Sequence, residues 1–77
     1  MKRIQILGPG CPKCKTLAAH AEEAVRQLGI EASVEKVERI TDIIKFGVLT
    51  TPGLVVDGSV KSAGRLLSVD DIKKLLG

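Results

Sequence analysis

Ile4-Gln5-Ile6-Leu7-Gly8-Pro9-Gly10-Cys11-Pro12-Lys13-Cys14 runs from an apolar segment through a turn into a cysteine pair. A helical pattern follows at once. Pro12 suits its first turn, where the missing N–H has no intrahelical partner to lose. The cysteines therefore sit where a strand meets a helix start. A helix N-terminus presents unpaired N–H groups and partial positive charge, and both stabilise a thiolate. A stabilised thiolate attacks disulfides near neutral pH. Two intervening residues let the second thiol reach back and close a ring, so the stretch reads as thiol–disulfide exchange. Two other readings stay open on these residues alone. The cysteines could be inert, since free cysteines are often small buried hydrophobes. They could also be a half-site for a soft metal. Zinc usually takes four ligands, and His20 and Met1 are the only other good soft ligands in the chain. A two-coordinate Cu(I)-type ion, which thiolates select, is the metal alternative.

Outward from this stretch, residues 3–7 read as a central strand, apolar with little polar relief. A helix is expected from Pro12 to Leu28, with Leu17, Ala21, Ala24, Val25 and Leu28 on one face and Gly29 as its stop. Ile30, Ala32 and Val34 alternate with Glu31, Ser33 and Glu35, the period of a strand with one buried face. Ile40, Ile43 and Ile44 mark a short helix near 39–46, ended by Gly47. Leu54-Val55-Val56 is a short buried strand, Asp57-Gly58 a tight turn, and residues 60–63 the return strand of a hairpin. Ser68 and Asp71 have the spacing of a capping box before a last helix with Val69, Ile72, Leu75 and Leu76 on one face. The strand–helix–strand start implies a parallel pair.

The 77 residues make one small domain, residues 1–77. Hydrophobic residues at 44% and charged ones at 27% fit a globular chain, not a disordered tail. Phe46 is the only aromatic residue, so the core must be aliphatic and base-stacking platforms are excluded. The net charge of +3 is mild and scattered, with no polybasic stripe for nucleic acid. No apolar run approaches the length of a membrane span. The run after Lys2 and Arg3 is too short for a signal-peptide core. A cytoplasmic location is expected, where a cysteine pair is more often catalytic or metal-binding than structural.

The order βαβαββα, with Cys11-Pro12-Lys13-Cys14 after the first strand and Thr51-Pro52 before the third, resembles the thioredoxin-like superfamily. The segment Gly47-Val48-Leu49-Thr50-Thr51-Pro52-Gly53-Leu54-Val55-Val56-Asp57-Gly58 is similar to that of its small, glutaredoxin-sized members, the redox-active disulfide proteins. The resemblance covers essentially the whole chain. It implies an α/β fold with a four-stranded mixed sheet and helices on both faces. It implies a thiol–disulfide oxidoreductase that reduces protein disulfides, with Cys11 as nucleophile, Cys14 as resolving thiol, and the two joined as a redox-active disulfide. It implies a cis Thr51–Pro52 bond facing the cysteines. Thr51, Pro52, Pro12 and Lys13 become the expected substrate-binding residues. No cofactor or metal is implied. The expected partners are disulfide-containing proteins and a reductase that restores the dithiol, with no nucleic acid or membrane, and the chain is expected to be a monomer.

The rival metal carriers resemble a strand–helix–strand–strand–helix–strand order with Met two before the first cysteine, where this chain has Pro9. Thioredoxins often keep a buried Asp below the pair as proton acceptor. No acid stands in residues 1–21, so that counterpart is missing or supplied by water. Lys2, Arg3, Lys13 and Lys15 leave this stretch wholly basic, and Lys13 is expected to favour partners with acidic residues. The surface around the pair, with Gly8-Pro9-Gly10, Pro12, Thr51-Pro52 and Ala63-Gly64, is expected to offer backbone more than side-chain pockets. His20 reads as a partly exposed histidine, Phe46 as core packing and Asp57 as a turn residue only.

Overall fold

A computed structural model describes residues 2–76. Strand β1 (Lys2–Leu7) leads to helix α1 (Pro12–Leu28), β2 (Ala32–Val37), α2 (Ile40–Lys45), the hairpin β3 (Gly53–Val56) and β4 (Ser59–Ala63), and α3 (Val69–Leu76). The sheet order is β2-β1-β3-β4. β1 pairs parallel with β2, Ile4 opposite Val34 and Ile6 opposite Lys36. It pairs antiparallel with β3, Ile6 opposite Leu54. The expected mixed four-stranded α/β fold is the one observed.

Side chains alternate across a strand, and here the alternation separates two cores. Ile4, Ile6, Leu54 and Val56 pack with Leu17, Ala18, Ala21 and Ala24 of α1 and with Ile72 and Leu76 of α3. Leu7 and Val55 face the other way, onto Ile43 of α2 and Val48, with Val37 and Phe46 at the margin. The small alanines let α1 lie close to the sheet and to α3. Ala18, absent from the expected apolar face, is part of this contact. Each fully buried Leu or Ile contributes about 1.5–3 kcal/mol relative to an exposed one, so an aliphatic core suffices without aromatic bulk.

Three expectations shift. β2 begins two residues later than its alternation suggests and runs on to Val37. Ile30 still packs on the larger core from outside the strand. In α2 only Ile43 is buried, whereas Ile40 and Ile44 are 63% and 54% exposed. One six-residue helix on that face covers too little sheet to use all three. Leu75 is likewise exposed at 39%, because α3 meets α1 and the sheet through Ile72 and Leu76.

Asp57 does more than turn the hairpin. Its carboxylate accepts the backbone N–H of Arg3 at 2.8 Å, and its own N–H donates to the Arg3 carbonyl at 2.8 Å. The turn is thereby clasped to β1. The capping box forms as expected: Asp71 N–H donates to Ser68 Oγ at 3.1 Å and Ser68 N–H to Asp71 Oδ2 at 3.4 Å. Hydrogen bonds from the Ser68 side chain and backbone hold the Asp71 carboxyl below its ordinary 3.8. Folding therefore favours the ionised form. That contribution is present above the ordinary carboxylate range and is lost as pH falls below it. Ser68→Ala is expected to cost about 1 kcal/mol, and thermal melts should show a drop of about 4–8 °C at neutral pH. An unchanged melting temperature would mean the cap contributes nothing.

Candidate active site

The turn after β1 delivers Cys11 to the N-cap of α1, in extended conformation (φ −66°, ψ 160°). From there its Sγ accepts the backbone N–H of Cys14 at 3.2 Å. This is the position of a side chain that satisfies an orphan donor of the first turn. Cys14 lies one turn on, 4% exposed, while Cys11 is partly exposed. The two are joined as a disulfide, with Cα atoms 5.1 Å apart. The expected asymmetry is thus present: an outer sulfur at the helix terminus and an inner one beneath it.

Gly8 makes this arrangement sterically feasible. A Cβ placed there would collide with Cys14 Sγ and stand 2.9 Å from Cys14 Cβ and 3.8 Å from Thr51 Cβ. Gly8 therefore lies between the inner cysteine and the loop before β3. The Thr51–Pro52 bond in that loop is cis. Thr51 is exposed, whereas Pro52 is fully buried and its carbonyl accepts the Gly64 N–H at 2.8 Å. Of the residues expected to meet substrate, Thr51, Pro12 and Lys13 present side chains to solvent, and Pro52 shapes the backbone from beneath.

The charge pattern differs from the linear reading. Lys2 and Arg3 lie at the far end of β1, about 17 and 13 Å from its cysteine end at ~3.3 Å per residue. There Arg3 pairs with Glu35 at 3.1 Å and Lys2 approaches Asp57 at 4.0 Å. The charged groups around the inner cysteine are instead Lys15, Lys36 and Glu38, which line a cavity of about 30 Å³ together with Cys14, Gly8 and Gly10. Lys36 and Glu38 escaped the sequence reading. The missed signal was strand parity: Ala32 and Val34 share a face with Ile4 and Ile6, and the same parity extended past Glu35 carries Lys36 and Glu38 to the cysteine end.

The surface beside the pair is also less bare than expected. A hollow of about 270 Å³ runs from Pro9 and Thr51 along α2, walled by Ile40, Ile44, Val48 and Leu49. Leu49 is 90% exposed. His20 is remote from this chemistry. Its Nδ1–H donates to the Leu67 carbonyl at 2.8 Å, tying α1 to the loop before α3; a carbonyl only accepts, so Nδ1 carries the proton. Among the described residues, no three of His, Cys, Asp or Glu are grouped to hold a metal ion. No described helix is long and apolar enough to cross a membrane.

Comparison with known proteins agrees with this geometry. A family model described as a thioredoxin domain matches residues 2–77. A thioredoxin of Methanothermobacter thermautotrophicus is 46% identical over 76 residues, 99% of each chain. A thioredoxin of Methanocaldococcus jannaschii is 38% identical over 73 residues, 95% of this chain and 84% of its own.

Proposed function

The chain belongs to the thioredoxin domain family and is a thiol–disulfide oxidoreductase, and from that premise we propose a division of labour in which Cys11 attacks a protein disulfide and Cys14 resolves the mixed disulfide. The observation that carries this is the Cys14 N–H donating to Cys11 Sγ at the helix N-cap. Once reduced, the outer sulfur keeps that donor and the dipole of a 17-residue helix, which together favour its thiolate. Cys14, buried, waits until Cys11 has bonded to the target. Its thiolate then attacks Cys11, forms the Cys11–Cys14 bond and releases the reduced target.

We propose that residues 1–77 act as one domain and that the target lies as an extended segment across Pro12, Lys13 and Thr51. Main-chain hydrogen bonds would hold it as in strand addition. The hollow walled by Ile40, Ile44 and Leu49 suits an apolar side chain next to the target cysteine. Lys13 favours encounter with acidic partners. The pair needs no cofactor. It does need a reductase to restore the dithiol, which fits a reducing compartment such as the cytoplasm, and the chain works as a monomer.

Thiol alkylation tests the roles. Brief treatment of the reduced protein at mildly acidic pH should label Cys11 well ahead of Cys14, and dithiothreitol-driven insulin reduction should proceed with the unlabelled protein only. Preferential labelling of Cys14 would reverse the assignment.

A further inference from the structure

We infer that Glu38 is the proton acceptor for Cys14 in the resolving step, acting through a water in the cavity behind the pair. This rests on the two-step reading above. Cys14 is 4% exposed and packed against the core, and burial disfavours the thiolate it must become. A base is therefore needed within hydrogen-bond reach or through one water. β1 offers none. Gln5 is the one buried polar side chain among the described residues. It is uncharged and opens on the opposite face of the sheet, beside Val37 and Phe46.

Glu38, the residue just past β2, meets the requirement. It lines the cavity that Cys14 lines, and the volume of about 30 Å³ exceeds the minimum for a water. Its Oε2 lies 3.4 Å from where a Cβ on Gly10 would stand, which places the carboxylate against the turn that precedes Cys11. Lys15 from α1 and Lys36 from β2 are the other charged groups facing this space; β1 contributes only Ile6, and the turn after it Gly8 and Gly10, and Thr51 beside Gly8 is uncharged. Among the described residues Glu38 makes no ion pair, so its oxygens are free to accept. Exposed on its outer side, it can return a proton to bulk water.

The step balances. Cys14 passes its proton through the water to Glu38 and its sulfur electron pair to Cys11 Sγ. The Cys11–Cys14 bond forms as the bond from Cys11 to the target breaks, and the target thiolate leaves and is protonated by solvent. Two electrons pass from the dithiol to the target disulfide.

Stopped-flow reaction with Ellman's reagent separates the steps, because attack by Cys11 and resolution by Cys14 each release one coloured thiolate. In Glu38→Gln the first phase should match wild type. The second should slow about a hundredfold at neutral pH, with the deficit shrinking as pH rises past ~8.5, the ordinary thiol value above which burial holds Cys14. Glu38→Asp should fall between the two. A second phase equal to wild type, or slowed by one factor at every pH, overturns the inference while leaving the roles of the cysteines intact. Absence of the first phase in wild type would remove both.

Discussion

Cys11→Ser should lower protein-disulfide reduction by more than about a thousandfold, to background, as removal of a nucleophile does elsewhere. Cys14→Ser should also stop turnover, at a different point. It retains the sulfur proposed to attack, at the N-cap, where the backbone N–H of residue 14 should still donate to Cys11 Sγ. It should therefore complete one attack and accumulate as a mixed disulfide with its target, visible by non-reducing electrophoresis and mass spectrometry. Cys11→Ser should trap nothing, because its remaining thiol is buried. A Cys14→Ser variant that turns over repeatedly, or a Cys11→Ser variant that traps targets, would contradict the proposed order of events. Side-chain volume changes little in either variant, so both should fold, and circular dichroism would verify that loss of activity is chemical.

Gly8→Ala should damage both stability and chemistry, out of proportion to one methyl group. The added carbon would overlap Cys14 Sγ and stand 2.9 Å from Cys14 Cβ. Cys14 belongs to the first turn of α1, whose inner face is packed through Leu17, Ala18 and Ala21 against Ile4 and Ile6. It has no flexible end to move away, so helix or strand must shift. Overpacking of this kind costs about 1–3 kcal/mol, and a chain of this size loses about 4–8 °C per kcal/mol. A shift of α1 would also alter the approach of Cys14 to Cys11, so the second phase with Ellman's reagent should slow more than the first. Wild-type melting and wild-type resolution in this variant would show that the turn relaxes freely and that Gly8 imposes no constraint.

Much of this site was legible in the chain because its chemistry is local. Cys11 caps the helix that begins at the next residue, and Pro12 occupies a helical position where it loses no bond. Ser68 and Asp71 cap α3 within four residues of one another. Asp57-Gly58 turns the chain within the hairpin itself. Each of these depends on hydrogen bonds or dihedral preferences spanning a few residues. The neighbourhood of the inner cysteine is different. Glu38 is 24 positions from Cys14 in sequence, and it reaches the cavity because β2 lies parallel beside β1 with Ile6 opposite Lys36. The absence of an acid near the motif was a correct observation about residues 1–21, but proximity along the chain is a poor guide to what faces a strand end. The cluster of Lys2 and Arg3 with Lys13 and Lys15 failed for the same reason, since an extended strand separates the two pairs.

What the sequence by itself determined was the order of elements, the helix and turn termini, and the cysteine pair at a helix start, since short-range backbone geometry and apolar periodicity settle these before any layer is packed. Tertiary structure alone decided which apolar residues are covered and which charges line the cavity beside Cys14. Ile40, Ile43 and Ile44 are chemically equivalent in sequence, yet only Ile43 is buried, because the sheet face beneath a six-residue helix can receive one side chain and leaves the others to wall the hollow beside the pair. Glu38 and Lys36 carry no local mark of function. Their place beside the inner cysteine comes from strand register, which is set cooperatively by the whole sheet burying its two apolar faces.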